Sequence, residues 1–192
     1  KVHDRGKVLD ADTLERFKEL KGVDWGRYLD VDGDGIPYRT LPGTHPSKGA
    51  FFTRGTSHDD SARYTADGRI HARVIDRIRQ KFDTAATLMP KPEITIRDKG
   101  GKTGLIYFGA NVHAVHEGLD LLEREGIRIN ALRLRAFPFT REVEAFCAAH
   151  ERIFVVEQNR DAQVRALLMV EADVPSHKLI SALSYDGMPM TA

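Results

Sequence analysis

The second part of the sequence alternates short apolar runs with amphipathic segments, and this pattern constrains the fold more than any other feature. After Pro90-Lys91-Pro92 the order is strand, helix, strand, helix, strand, helix, strand, with short breaks between the segments. Strands and helices that alternate in this way form a mostly parallel sheet with helices on its faces. The sequence therefore predicts an α/β three-layer sandwich of about five strands over residues 91–192.

Each element of this predicted domain has a local signal. A continuous apolar strand at 104–108 precedes a helix at 112–125, which Gly126 terminates. Residues 93–96 are predicted as an antiparallel edge strand, because the turn at Lys99-Gly100-Gly101 is too short for a crossover. The remaining predicted elements are strands at 129–137, 153–156 and 179–183 and helices at 140–150 and 161–172.

Residues 1–90 have a different character, because they are rich in glycine, aspartate and turn signals and contain only two convincing helices. The first helix is predicted at about 12–20, with Asp12 as N-cap and Glu15 completing a capping box. The second is predicted at 68–88, where apolar residues recur at helical spacing. Its charged residues, including Arg77 and Lys81, are interpreted as a solvated face. We therefore expect two domains, at 1–90 and 91–192.

Composition excludes several classes of protein. The 29 basic and 28 acidic residues are mixed along the chain, so no basic stripe indicates a nucleic-acid partner. The longest apolar stretches are far shorter than the roughly 20 residues of a membrane-spanning helix. One cysteine, Cys147, leaves no thiolate set for zinc or an iron–sulfur cluster and fits a reducing cytoplasm. Because the chain begins at Lys1 without methionine, we expect it to be a piece of a longer polypeptide.

The loops that follow the parallel strands are candidate sites, because ligands and partner chains gather beyond the carboxyl ends of such strands. Glu157 ends a buried strand and faces a helix start, where its carboxylate is expected to bond backbone amides or a neighbouring subunit, with direct chemistry as the less favoured alternative. Phe137 is expected to pack across the strand ends, because Pro138 stops its strand. The candidate interface and structural residues are Glu157, Asn159, Gln163 and Phe137.

Arg39 is the candidate ligand-binding residue of the first domain. It lies between Pro37 and Pro42-Gly43-Thr44, which stiffen the loop. A guanidinium held on such a loop binds a carboxylate through two parallel hydrogen bonds. The alternative is an arginine that only faces solvent.

Three groups of polar residues allow a second interpretation. Asp30 to Gly35 match the opening of a calcium loop, but Leu41 stands where the bidentate glutamate is required, so a turn stabilised by aspartate and glycine is favoured. His113 and His116, beside Glu117, share a helix face but lack a third ligand, so no metal site is predicted. The polar run at 53–60, which contains His58, is either a capping network or part of a ligand cavity.

Four ordered segments resemble the alpha subunit of 2-oxoacid:ferredoxin oxidoreductases, most closely the 2-oxoglutarate type. The segments are residues 32–44, 55–59, 133–139 and 155–163. The resemblance implies that residues 91–192 are a transketolase C-terminal-like domain and that residues 1–90 are the incomplete end of a thiamine pyrimidine-binding domain. It also implies that Arg39, with Thr44 as a second donor, holds the carboxylate of the 2-oxoacid.

The resemblance also implies cofactors and partners. The family decarboxylates a 2-oxoacid oxidatively with coenzyme A, which gives an acyl-CoA, carbon dioxide and reduced ferredoxin. Thiamine diphosphate, magnesium and an iron–sulfur cluster are expected on a beta subunit and not on this fragment, which is expected to have no catalytic residue and to be inactive alone. A homodimer of the alpha chain is a further expected contact. A non-catalytic assembly domain and, less favoured, a calcium-binding module are the alternatives.

Overall fold

The computed structural model describes residues 6–49 and 57–192, and the chain divides into two compact units. Unit 1 comprises Lys1–Ala85 and unit 2 comprises Ala86–Ala192. None of the helices in the described residues has both the length and the apolar character needed to cross a membrane.

Unit 1 has two short helices near its start, where the sequence predicted a single helix. Helices α1 at Ala11–Glu15 and α2 at Phe17–Lys21 meet at Arg16. The prediction of Asp12 as N-cap is wrong, because the N-cap is Asp10. Its backbone is extended, and its side chain accepts the N–H of Thr13 at 2.8 Å. Glu15 therefore completes no capping box, and its carboxylate instead lies 2.6 Å from His45 Nε2.

The remainder of unit 1 is mainly loop, with one long helix. Helix α3 covers Gly68–Leu88, the bounds that the sequence predicted, and its last three residues belong to unit 2. Leu9, Leu14 and Phe17 form the small apolar core of this unit, with Trp25, Val31 and Tyr38 packed against it. A core of this size leaves most of the unit to be held by polar contacts.

Unit 2 is a five-stranded sheet with three α-helices, which confirms the predicted α/β class and strand number. The strands are β1 at Glu93–Thr95, β2 at Thr103–Phe108, β3 at Asn130–Leu134, β4 at Arg152–Glu157 and β5 at Leu179–Leu183. The helices are α4 at Val112–Arg124, α5 at Arg141–Ala149 and α6 at Gln163–Glu171. The strand order is β1-β3-β2-β4-β5, with β1 antiparallel to β3 and the other neighbours parallel.

The antiparallel edge strand is confirmed at β1, although it pairs with β3 and not with β2, which follows it in sequence. The side chain of Asn130, at the start of β3, makes this possible. Its Oδ1 accepts the N–H groups of Arg97 and Asp98 at 3.0 and 2.9 Å, and its Nδ2 donates to Asp98 O at 3.0 Å. The chain is thereby held as it passes from one side of β3 to the other.

The two faces of the sheet carry separate apolar layers, because side chains alternate along each strand. On one face Ile106 and Leu132 are fully buried in a layer that includes Phe146 of α5 and Leu168 of α6. On the other face Tyr107 packs with residues of α4. The sheet is therefore enclosed on both faces, as its apolar strands require.

Candidate anion site

The loop of residues 30–35 in unit 1 is wrapped around one carboxylate. Asp30 accepts the backbone N–H groups of Gly33, Asp34 and Gly35 at 2.9, 3.2 and 2.7 Å. Gly33 and Gly35 have φ values of +73° and +78°, a conformation that glycine adopts without steric cost. The side chain of Asp30 thus fixes the direction in which the loop presents its carbonyl groups.

The other two aspartates of this loop are paired with lysines. Lys7 Nζ lies 2.7 Å from Asp32 and 2.8 Å from Asp34, and Lys21 Nζ lies 3.1 Å from Asp32. The hydrogen bond from Lys7 is the largest cause that holds the pKa of Asp32 below its usual range. Burial is the largest single effect on the pKa of Asp34 and raises it. The hydrogen bond from Lys7 acts in the opposite direction, and the pKa of Asp34 lies below its usual value. The carboxylates of loop 30–35 therefore have cationic or backbone partners, as the favoured interpretation of a turn stabilised by aspartate and glycine requires.

The histidine candidates have partners of their own. His116 Nε2 lies 2.8 Å from the hydroxyl of Tyr107. His58 stacks on the ring of Tyr28 at 4.0 Å between centroids. Asp59 accepts the N–H groups of Ser61 and Arg63, each at 2.9 Å, as a local capping network does, while the candidate residues 53–56 lie outside the described residues. Within residues 6–49 and 57–192, no three His, Cys, Asp or Glu side chains form a group able to hold a metal ion.

Helix α3 is fixed against the loop by direct contact. Arg77 Nη1 donates to Gly35 O at 2.9 Å, and Thr84 Oγ1 donates to Asp34 O at 2.6 Å. A Cβ atom at Gly35 would lie 2.4 Å from the backbone N of Lys81, so the helix backbone lies where any larger residue would place a side chain. Glycine is required at this position because its φ is positive and because the backbone of α3 approaches it closely.

The backbone of Arg39 is fixed from the other side. Its N–H donates to Lys7 O at 2.9 Å, and its carbonyl accepts the N–H of Leu9 at 2.9 Å. Its neighbour Thr40 is buried, and the hydroxyl of Thr40 donates to Lys48 O at 2.6 Å and accepts Arg27 Nη1 at 3.2 Å. Arg39 is exposed and lines a cavity, so an anchored backbone carries an accessible side chain.

A cavity of about 270 Å³ lies between these walls. Nine of the described residues line it, of which five are cationic and none is acidic. The lining residues are Gly6, Lys7, Arg27, Tyr28, Ile36, Pro37, Arg39, Arg77 and Lys81. The cations act on one another: burial is the larger cause that lowers the pKa of Arg27, and the charge of Arg39 lowers it further. Such a concentration of positive charge in a concave surface attracts anions.

The cavity contains residues that the sequence did not indicate as site residues. Arg77 and Lys81 were interpreted as part of a solvated helix face, yet both line the cavity beside Arg39. Their four-residue spacing places them on one face of α3, which was the available signal. That signal could not be used, because the sequence does not show which loop the face contacts.

Thr44, the proposed second donor, is not among the cavity-lining residues. Its hydroxyl accepts the N–H of Leu41 at 3.1 Å, and its own N–H donates to Leu41 O at 3.1 Å. Thr44 therefore closes the turn that follows Arg39. A contact between Thr44 and a ligand stays a prediction.

In unit 2, Glu157 is fully buried and accepts three hydrogen bonds. Its Oε2 accepts Val164 N–H and Asn159 Nδ2, both at 2.8 Å, and its Oε1 accepts Arg165 N–H at 2.9 Å. Asn159 Oδ1 in turn lies 3.3 Å from Gln163 N. These contacts cap α6, which begins two residues later than predicted because Ala162 has left-handed backbone with φ of +50°.

The Phe137 loop only partly matches the prediction for it. Phe139 is buried in the apolar layer, whereas Phe137 is 42% exposed and contacts Phe139 edge-on at 5.2 Å between ring centroids. An interface role for Phe137, Glu157, Asn159 and Gln163 stays a prediction.

Comparison with known proteins provides a second line of argument. No family model matches this chain. The chain is 26% identical over 190 residues to the 2-oxoacid:ferredoxin oxidoreductase 2, subunit alpha, of Aeropyrum pernix. That alignment covers 97% of this chain and 27% of the relative, so the chain spans about a quarter of the length of the curated protein that it matches.

A solved structure shares the fold. A 2-oxoglutarate:ferredoxin oxidoreductase from Magnetococcus marinus, with 2-oxoglutarate, coenzyme A and succinyl-CoA bound, aligns with a TM-score of 0.71 and 21% identity. The alignment covers 87% of this chain and 28% of that chain. The resemblance that the four sequence segments indicated is thus confirmed, both in sequence and in fold.

Proposed function

We propose that this chain is part of the alpha subunit of a 2-oxoacid:ferredoxin oxidoreductase of the 2-oxoglutarate type. The observation that carries the proposal is the similarity over 97% of the chain to the alpha subunit of a 2-oxoacid:ferredoxin oxidoreductase. The reaction is the oxidative decarboxylation of a 2-oxoacid with coenzyme A, which yields an acyl-CoA, carbon dioxide and reduced ferredoxin.

In this proposal Arg39 holds a carboxylate of the 2-oxoacid. Its backbone N–H and C=O are hydrogen-bonded to Lys7 and Leu9, so the side chain extends from a fixed backbone position. Among the described lining residues the flanking cavity has four further cations, of which Lys7 is paired with two aspartates, and no carboxylate, which lowers the free energy of a bound anion. A guanidinium binds a carboxylate through two parallel hydrogen bonds and thereby orients it.

The cofactors of the reaction belong to another chain. Thiamine diphosphate, bound with magnesium, stabilises the carbanion that decarboxylation forms, and an iron–sulfur cluster carries the electrons toward ferredoxin. The residues of this chain do not fit a cluster, because clusters are held by several cysteine thiolates and this chain has one cysteine. Burial raises the pKa of the Cys147 thiol to about 11, so it is not a thiolate at neutral pH. A beta subunit is the proposed location of these groups.

Unit 2 is proposed to be a scaffold for assembly that does no chemistry. Glu157, the buried carboxylate at the end of β4, uses both oxygens on the N-terminus of α6 and on Asn159, so it has a structural task. Phe137, at the same edge of the sheet, exposes 42% of its surface and suits a subunit contact. The beta subunit or a second alpha chain is the proposed partner, in a cytoplasmic enzyme.

The proposal is tested by assaying the intact alpha polypeptide co-expressed with a beta subunit. We expect reduction of ferredoxin that depends on both a 2-oxoacid and coenzyme A, with 2-oxoglutarate preferred over pyruvate. The 192-residue chain alone is the control and is expected to be silent. Turnover by the chain alone, or no turnover by the complex with any 2-oxoacid, contradicts the proposal.

A further inference from the structure

We infer that the cavity beside Arg39 binds a ligand with two anionic groups, of which Arg39 takes one and Arg77 and Lys81 of α3 take the other. This inference deepens the proposed function and rests on it for the assignment of the first group to the substrate. It adds a second anion subsite, on a helix that sequence similarity alone does not single out.

The five cations that line the cavity differ in whether their charge is neutralised by an acidic partner. Lys7 is neutralised by two aspartates at 2.7 and 2.8 Å, and Arg27 is turned toward Thr40. Among residues 6–49 and 57–192, Arg39, Arg77 and Lys81 form no ion pair. Arg77 also lines a neighbouring cavity whose lining includes Asp30, Asp60 and Asp76. These three charges exceed what one carboxylate of a ligand neutralises, so a second anionic group is favoured.

Arg77 has a hydrogen-bond donor that is not used among the described residues. Its Nη1 donates to Gly35 O, but its Nε–H is buried and has no hydrogen-bond acceptor in the part of the chain that the structure describes. A buried donor without an acceptor is costly, and native proteins rarely keep one. The guanidinium edge formed by Nε and an Nη matches the two oxygens of a carboxylate or phosphate group.

Each of the two subsites is anchored by contacts within unit 1. Arg39 is fixed through its backbone to residues 7–9, and α3 is fixed to loop 30–35 through Gly35 and Thr84. Ile36 and Pro37 also line the cavity and provide apolar surface. A carbon skeleton that carries two anionic groups has the chemistry that these cationic and apolar lining residues would bind. Two chemical sources meet the description, a 2-oxo-dicarboxylate and the phosphate groups of coenzyme A.

The test measures binding by calorimetry in the intact alpha polypeptide purified with its beta subunit. One pair of probes is glutarate and pentanoate, which differ by one carboxylate on the same carbon chain. The other pair is adenosine 3′,5′-bisphosphate and adenosine 5′-monophosphate, which differ by one phosphate. The variants are Lys81→Gln, Arg77→Gln and, as rescue, Arg77→Lys. Arg79→Gln is the matched control, an exposed cation on the same helix that does not line the cavity.

We expect Lys81→Gln to weaken glutarate binding at least tenfold and to change pentanoate binding less than twofold, with Arg79→Gln changing neither. Arg77→Lys is expected to retain more of the glutarate affinity than Arg77→Gln. The same loss confined to the bisphosphate would support two anionic groups with coenzyme A as their source, and it would contradict the assignment of Arg39 to the 2-oxoacid.

Two results overturn the inference. One is that Lys81→Gln is indistinguishable from Arg79→Gln with both probe pairs, and the other is that it weakens both members of a pair equally. Turnover of 2-oxoacids by the wild-type complex is measured on the same preparation. Turnover without a Lys81 effect rejects the inference alone, whereas an absence of turnover rejects the proposed function.

Discussion

The two units of this chain are stabilised in different ways. Among the described residues, unit 1 buries four apolar side chains, whereas unit 2 buries eighteen around its sheet. Unit 1 compensates with polar contacts to the backbone, such as the three amides on Asp30 and the bond from Arg77 to Gly35 O. Such contacts fix loops without enclosing them, so unit 1 presents a charged cavity, whereas unit 2 provides a packed sheet.

The largest expected effect on the free energy of unfolding is at Glu157, in unit 2. In Glu157→Gln an amide NH₂ replaces an oxygen that accepts a backbone N–H, so a buried donor faces a buried donor. We expect a loss of about 3 kcal/mol in the free energy of unfolding. Urea denaturation measures it, and Glu151→Gln, a change at a side chain that is 70% exposed, is the control. A loss below about 1 kcal/mol would show that this carboxylate does not stabilise the N-terminus of α6.

The next effect is expected at the contact between loop and helix in unit 1. Gly35→Ala places a Cβ atom 2.4 Å from Lys81 N, so α3 must move away from the loop. Gly33→Ala is a matched control, because Gly33 has a similar φ and nothing within 4 Å of the added Cβ. We expect the control to lose about 1 kcal/mol and Gly35→Ala at least twice as much.

Hydrogen exchange provides the local measurement for this pair. Gly35→Ala is expected to speed exchange in residues 33–37 and in α3, whereas Gly33→Ala is expected to affect the loop alone. Equal exchange in the two variants would mean that α3 does not depend on its contact with Gly35.

The smallest effect is expected at Glu142, on the surface of unit 2. The ammonium group of Lys91, 2.7 Å away, is the first cause that holds the pKa of Glu142 at about 2. A carboxyl pKa lowered by folding stabilises the fold above the ordinary pKa near 4.5, and this stabilisation disappears as the pH falls through 2.

Glu142→Gln is therefore expected to lower the melting temperature slightly at pH 6 and to match the wild type near pH 2. Glu144→Gln, an exposed change on the same helix, is the control and is expected to show no such dependence. A difference that persists unchanged to pH 2 would show that the effect is not due to ionisation of Glu142.

The contrast between the units also explains which parts of the fold the sequence predicted. In unit 2 the buried strands and amphipathic helices have strong periodic signals, so five strands and three helices were placed within a few residues. The partner of β1 was not evident, because it depends on the side chain of Asn130, which holds two backbone amides 32 and 33 positions away in the chain.

In unit 1 the long helix α3 was predicted with its observed bounds, because its apolar residues recur regularly. The break at Arg16 and the cap at Asp10 were missed, since both depend on local backbone geometry. Arg39 was proposed as a site residue from its flanking prolines, and it lines the cavity. Arg77 and Lys81 were not, because a charged helix face shows its partner only after folding.

The most direct test of the account is the kinetic effect of Arg39→Gln in the assembled enzyme. If Arg39 holds the substrate carboxylate, kcat/KM for the 2-oxoacid is expected to fall about 100-fold, while KM for coenzyme A changes less than about twofold. Arg69→Gln, at a side chain that is 93% exposed, is the control and is expected to leave both values unchanged. A kcat/KM for Arg39→Gln within about twofold of the wild type would contradict the central claim.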